Sequence, residues 1–300
     1  MNIQSTSVSR RRPADISFGE EDFRRIAAFA KSAYGLHLEA SKKAMIHSRL
    51  SKRIIALNLE GFSDYHEYLK ANLEDEADHF ISALTTNVTH FYRERHHFEQ
   101  LQNEVLPPLV ARARSGGRVR LWSAGCSSGQ EPYSLAGSVL RLCPEAPRLD
   151  LRILATDLDP FVLRRAEAAT YSSEECTLPD GEWASQIFEP AELAKPSRRI
   201  RADARSLVTF RQLNINGPWP MSGLFDVIMC RNMAIYFSGE TQHVLWRRLA
   251  EQLTPGGMLF IGHSERVTGP ATALLAPAGV TAYLRRPAQG APTGSSTGKD

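Results

Sequence analysis

Apolar positions recur at two different periods along this chain, and the change of period divides it. From residue 17 to about 98 they keep helical spacing: Phe23, Ile26, Ala27 and Ala30, then Met45, Ile46, Leu50 and Ile54, then Phe80, Ile81 and Leu84. Gly35 and Gly61 read as stops between helices. Residues 105–114 repeat the helical pattern once more, entered near Pro107-Pro108. Beyond Arg118, short apolar runs alternate with helical stretches. Strands are expected at 118–126, 151–158, 225–230, 258–261 and 280–284, and helices at 131–142, 160–169 and 241–253. Gly256-Gly257 reads as the turn before the strand at Met258. Such alternation predicts an α/β domain built on a largely parallel, doubly wound sheet.

The expected organisation follows. Residues 1–16 form a loose basic arm, 17–98 an all-helical domain and 99–286 the α/β domain. Between Tyr171 and Asn214 the alternation breaks down. Two β-like stretches, 198–201 and 207–213, predict a small antiparallel β-subdomain inserted at about 172–213. The tail 287–300, rich in Gly, Pro, Ser and Thr, is expected to be disordered.

Candidate chemistry concentrates after the first strand. Val119 and Leu121 lead into Ser123-Ala124-Gly125-Cys126-Ser127-Ser128-Gly129, and a helical pattern resumes from Glu131. A strand, a tight loop of small residues and a helix let a ligand lie against bare backbone. The second strand ends in Asp157, where a carboxylate is placed to accept ribose hydroxyls. A nicotinamide or flavin site would want G-x-G-x-x-G; here the glycines are differently spaced. No G-K-[ST] follows, which excludes a phosphate-binding P-loop. Glu131 at the helix start would repel phosphate, yet it suits a cationic ligand such as S-adenosylmethionine. It equally suits the helix dipole alone.

Composition narrows the setting. The 300 residues are 42% hydrophobic and 23% charged, an ordinary globular balance with ample core. No apolar run approaches the roughly 18 residues that cross a bilayer, so a cytoplasmic protein without membrane insertion is expected. Cys126, Cys143, Cys176 and Cys230 form no C-x-x-C pair, and no H-x-x-x-H pair occurs, so no metal site is expected. A net charge of +3 is too mild to indicate nucleic acid.

Five segments in order resemble the CheR family of chemoreceptor glutamate O-methyltransferases. They are Thr85-Thr86-Asn87-Val88-Thr89-His90-Phe91-Tyr92-Arg93-Glu94, the loop from Trp122 to Ser134, Ala155-Thr156-Asp157-Leu158-Asp159, Cys230-Arg231-Asn232-Met233-Ala234-Ile235-Tyr236-Phe237 and Gly262-His263-Ser264-Glu265. The resemblance implies a class I S-adenosylmethionine-dependent methyltransferase sheet, Rossmann-like, behind an N-terminal all-helical domain. It further implies a cytoplasmic enzyme, expected to be a monomer, whose partner is the cytoplasmic domain of methyl-accepting chemoreceptors. The products would be γ-glutamyl methyl esters and S-adenosylhomocysteine. Cofactor contacts would fall on Asn87, Thr89, Arg93, Glu131, Asp157, Asn214, Ile215, Arg231 and Asn232. The family usually has an acidic pair before the proline, whereas this chain has Gln130-Glu131.

Several of these positions have plainer readings. Asn87 and Thr89 are also good helix caps. Arg93 is a bidentate partner for a carboxylate or a surface arginine paired with Glu94. Asp159 is read as a cap on the helix after Pro160, and Cys126 is given no chemistry. Methyl transfer to a glutamate, already ionised at neutral pH with a pKa of about 4.3, needs no general base. Tyr236 and Arg231 are the residues expected to orient the reaction, Tyr236 otherwise being a packed aromatic. Lys42, Lys43, Arg49, Lys52 and Arg53 form an acid-free basic run, with Lys42, Arg49 and Arg53 on one helical stripe. Arg49, Lys52 and Arg53 are thus candidates for docking an acidic receptor coiled coil, or simply a solvated face or a nucleic-acid patch. Methylation of an amine or base, since Asn232 follows a strand as in N-P-P-Y motifs, and a non-catalytic sensor of adenosylmethionine are the competing functions.

Overall fold

The computed structural model describes residues 11–176, 178, 183, 187–190 and 196–287. They fall into two compact units, one running to Thr86 and including Asp159–Phe161, the other made of Asn87–Leu158 and the chain from Val162. The expected arm and tail lie largely outside the described residues. Of the arm, Pro13–Asp15 form a 3-10 turn and Ile16 is buried, its carbonyl bonded by His47 Nε2 at 2.7 Å.

The helical unit contains α1 (Glu20–Tyr34), α2 (Lys43–Ala56), α3 (Phe62–Ala71) and α4 (Leu73–Leu84). Three acids, Glu20, Glu21 and Asp22, open α1 where the helix dipole favours them. Asp22 also accepts the Gly19 N–H at 2.9 Å. Gly35 ends α1 as expected, whereas Gly61 precedes α3 and starts a helix instead of stopping one. Ile26, Ala30, Ile46, Leu50, Ile54, Tyr65, Leu69 and Phe80 are buried, the faces that periodicity marks.

The domain boundary is earlier than the 98/99 expected. Residues 95–114 are continuously helical: α5 (Arg95–Gln100), a π-helical turn (Leu101–Val105) and α6 (Leu106–Arg114). Phe91, Tyr92, Phe98, Leu101, Leu106 and Val110 join the core of the sheet unit, and this apolar face explains their allegiance.

The sheet has seven strands in the order β5-β2-β1-β6-β7-β9-β8. These are β1 (Val119–Ala124), β2 (Leu151–Asp157), β5 (Val208–Gln212), β6 (Phe225–Cys230), β7 (Leu253–Ile261), β8 (Leu275–Gly279) and β9 (Ala282–Arg285). The first five pair in parallel, and β9 runs antiparallel to both β7 and β8. Intervening helices are α7 (Gln130–Leu142), α8 (Pro160–Ala168), α9 (Ala202–Leu207) and α10 (Gly239–Gln252). Because β1 lies between β2 and β6, the strand order reverses there, and ligands of such sheets bind outside the carboxyl ends at that point.

Two expectations about the sheet are corrected. Only the first β-like stretch of the insertion belongs to a separate small sheet, β3 (Thr170–Ser172) with β4 (Ser197–Arg199), antiparallel. The second, β5, is the edge strand of the main sheet, in parallel register with β2 from Ile153↔Val208 to Asp157↔Gln212. Gly256-Gly257 is not a turn ahead of a strand but an irregularity inside β7, whose pairing with β6 shifts register between Phe225 and Val227. β8 went unread because Leu275–Gly279 carries a proline and three small residues at an edge, where a ladder donor is dispensable.

Candidate active site

The carboxyl ends of β1 and β2 are tied together by backbone. The N–H groups of Gly125 and Cys126 both donate to Thr156 O, at 2.8 and 2.9 Å. Ser127 has positive φ, its N–H donates to Asp157 Oδ2 at 2.8 Å, and its hydroxyl donates to Asn87 O at 3.1 Å. Asn87 and Asp157, chosen from sequence, therefore meet through Ser127. Gly129 closes the loop at φ +96°, where a Cβ would come within 2.7 Å of Tyr171 Oη and 2.8 Å of Ala166 Cβ. Only glycine meets both demands. Cys126 is buried with its Sγ toward Ser127 O, in keeping with a packing role, and all four cysteines are buried and unpaired.

Glu131, on the first turn of α7, accepts Ser123 Oγ at 2.7 Å and Arg231 Nη1 at 3.2 Å. Arg231 follows β6 and its side chain is 2% exposed. Its guanidinium also contacts Glu94 Oε2 at 3.3 Å, bonds Arg93 O and lies 5.7 Å from the Phe98 ring centroid. Glu94 takes in addition the His263 N–H at 3.1 Å, His263 Nδ1 at 2.9 Å and Asn232 Nδ2 at 3.4 Å. Burial pushes the Glu94 carboxyl up, but the Arg231 charge and the His263 donors bring it down to about 2. Burial wins at Glu131, whose carboxyl is raised despite Arg231 and Ser123. Two carboxylates share one guanidinium, so with both ionised the cluster carries one more negative than positive charge, which a cationic ligand beside Glu131 would offset.

The remaining candidates are placed as follows. Leu213 N–H bonds Asp157 O at 2.9 Å, which brings the turn after β5 beside the β2 end. There Asn214 Oδ1 accepts Asn216 N–H at 3.0 Å and Ile215 is buried. Thr89 is half-buried on the segment after Asn87, and Arg93 Nη1 donates to Val88 O at 2.8 Å. Tyr236 ends a 3-10 turn (Ala234–Tyr236) and is half-buried, not part of the core. Asp159 caps α8 by accepting Phe161 N–H at 2.9 Å. Arg49 and Arg53 are not a free docking stripe. Arg49 bonds the carbonyls of Ala83 and Thr85, and Arg53 pairs with buried Glu76 at 2.6 Å, because α4 packs against this face of α2. Lys52 is exposed.

Sequence reasoning overlooked Ser123, Glu94 and Glu265 as working residues. All three stand inside the quoted motifs, but their partners arrive from segments distant in sequence. Among the described residues, Glu94, His96 and His97 also bring potential metal ligands within 4.8 Å of one another. Arg231 Nη2 lies 3.3 Å from Glu94 Oε2 beside this group.

His97 gives this core a pH dependence. It is fully buried, its Nε2 bonds Val280 O at 3.0 Å, and burial together with Arg231 lowers its pKa to about 4. The unfolded imidazole titrates near about 6.5, so between the two values the unfolded chain binds a proton that the folded one does not. Stability is therefore expected to fall as pH drops from about 6.5 to about 4. Thermal unfolding of wild type and His97→Gln across that range checks it; equal slopes would remove His97 as the cause.

A family model described as "CheR methyltransferase, SAM binding domain" matches residues 87–283, and "CheR methyltransferase, all-alpha domain" matches 21–85. A probable chemotaxis protein methyltransferase of Rhizobium etli is 45% identical over 252 residues, 83% of this chain and 94% of that protein. The chemotaxis protein methyltransferase of Escherichia coli is 35% identical over 263 residues, 87% and 89%. Among solved structures, the glycopeptide N-methyltransferase MtfA complexed with S-adenosylmethionine has a TM-score of 0.33 at 13% identity, over 58% of this chain and 52% of that one.

Proposed function

Because this chain belongs to the CheR methyltransferase family and is an S-adenosylmethionine-dependent methyltransferase, we propose that it methylates glutamate side chains of bacterial chemoreceptors, making γ-glutamyl methyl esters. The observation that carries the reading is the anionic Glu94–Arg231–Glu131 cluster at the strand-order reversal, beside the Asp157 loop.

The cofactor supplies a methyl group on a positively charged sulfur. Asp157 would hold its ribose hydroxyls, and Glu131, oriented by Ser123 and Arg231, would meet its ammonium group. Arg93 would take its carboxylate, and Asn87, Thr89, Asn214, Ile215 and Asn232 would contact the rest. Tyr236, half-buried at the edge, orients the reacting groups. A substrate carboxylate is ionised at neutral pH, so this site has no proton to remove, and its contribution is alignment and exclusion of water. Among the described residues no helix is long and apolar enough to cross a membrane.

The test is incubation with radiolabelled adenosylmethionine and receptor-bearing membranes. Label released as methanol by mild base supports the ester; base-stable label points to an amine or base as acceptor and overturns it. Docking is assigned to the basic face of α2 at Lys52. Lys52→Glu is expected to raise the receptor KM about tenfold at low salt, with cofactor affinity unchanged. A parallel loss of both would place Lys52 outside docking.

A further inference from the structure

Glu265 has no part in the cofactor contacts above, yet its carboxylate accepts five backbone N–H groups. It lies in the turn after β7 and is 8% exposed. Its Oε1 accepts the N–H groups of Met233 at 2.9 Å, Ala234 at 2.7 Å and Ile235 at 3.3 Å. Its Oε2 accepts those of Asn232 at 2.9 Å and Gly262 at 2.6 Å. Four consecutive amides thus converge on one anion, a backbone nest filled by the chain's own side chain. These amides span the whole segment between Arg231 and Tyr236.

The arrangement over-determines an unusual backbone. Asn232 sits at φ 55°, a left-handed conformation that asparagine tolerates better than most residues. Gly262 permits the approach from β7, since a Cβ there would lie 2.5 Å from Asn232 Nδ2 and 2.6 Å from Asn232 N. Burial pushes the Glu265 carboxyl up while the amides oppose it. With both oxygens only accepting, the geometry accommodates the ionised form.

We propose that Glu265 is a positioning residue: its carboxylate fixes the backbone of residues 232–235 and thereby sets Asn232 against the cofactor and Tyr236 against the reacting groups. The proposal rests on the methyltransferase reading of this site. A loop pinned from β7 aligns donor and acceptor without reorganisation at each turnover, and misplacement by about 1 Å costs as much as a hundredfold in rate.

Glu265→Gln keeps the side chain's volume but turns one acceptor into a donor facing two amides. It is expected to lower kcat about thirtyfold while leaving the receptor KM within about twofold. Glu265→Asp, which keeps the charge, should recover part of kcat. A fall in activity that only tracks the folded fraction, with kcat per folded molecule unchanged, would overturn the proposal. Hydrogen exchange on the wild-type chain supplies a readout free of both variants and catalysis. The amides of residues 232–235 are expected among the slow exchangers of the cofactor-free protein; fast exchange there beside a protected β6 would overturn the nest itself. Wild type that binds adenosylmethionine yet labels no receptor would remove the substrate reading and leave this one standing.

Discussion

Asp157→Ala is expected to weaken adenosylhomocysteine binding about 100-fold while the α/β unit stays folded. The side chain is half-buried at the end of β2, with Oδ2 held by the Ser127 N–H. That bond aims the carboxylate along the loop where a ribose would lie. Charge-assisted hydrogen bonds to a carboxylate contribute about 1.5–3 kcal/mol each, so losing a ribose pair corresponds to about two decades in Kd. The same change leaves Ser127 N–H without its acceptor, for about 1 kcal/mol of stability, far short of unfolding. Asp157→Asn keeps the shape without the charge and should fall between. Titration calorimetry together with thermal unfolding separates affinity from folding. Unchanged affinity would move sugar recognition away from this strand end.

Arg53→Ala should destabilise the helical unit by about 3–5 kcal/mol. Glu76 has a 1% exposed side chain and accepts Arg53 Nε at 2.9 Å, Arg53 Nη2 at 2.6 Å and Tyr65 Oη at 2.8 Å. Burial and the neighbouring carboxylate push the Tyr65 phenol well above its ordinary range, so it stays a neutral donor. Removing the guanidinium strands a buried carboxylate on one hydroxyl. The combined replacement of Arg53→Met, Tyr65→Phe and Glu76→Leu removes both charges and the hydroxyl that Glu76 accepts, and is expected to recover most of the loss, since an apolar set of similar volume often does. Chemical denaturation of wild type and the two variants measures this directly, and a stable Arg53→Ala would show the pair to be idle. Loss of methylation in an Arg53 variant therefore reports folding before docking, which is why Lys52 bears the docking test.

Local pattern marked the loop and the strand ends around which the candidate site is built. Gly129 and Asp157 announce a loop and a strand end by their spacing, and the Ser127 N–H of that loop bonds the Asp157 carboxylate. Glu131 was legible as an acid opening a helix, but its pairing with Arg231 was not, because 100 residues separate them. Arg53 misled for the same reason: a basic stripe records which side chains share a helix face, never which acid on another helix packs over it. β5 was legible as a strand, yet its membership of the main sheet was decided by pairing with β2.

By itself the sequence determined the order of elements, the faces they bury, and the small-residue loop, since these depend on side-chain period and on the local freedom of glycine. Tertiary structure alone decided where the charges balance. Glu94, Glu131, Arg231 and Glu265 come from four separate segments, and Coulomb and hydrogen-bond energies depend on distance in space. The ends of β1, β6 and β7 had to be brought side by side before those partners existed.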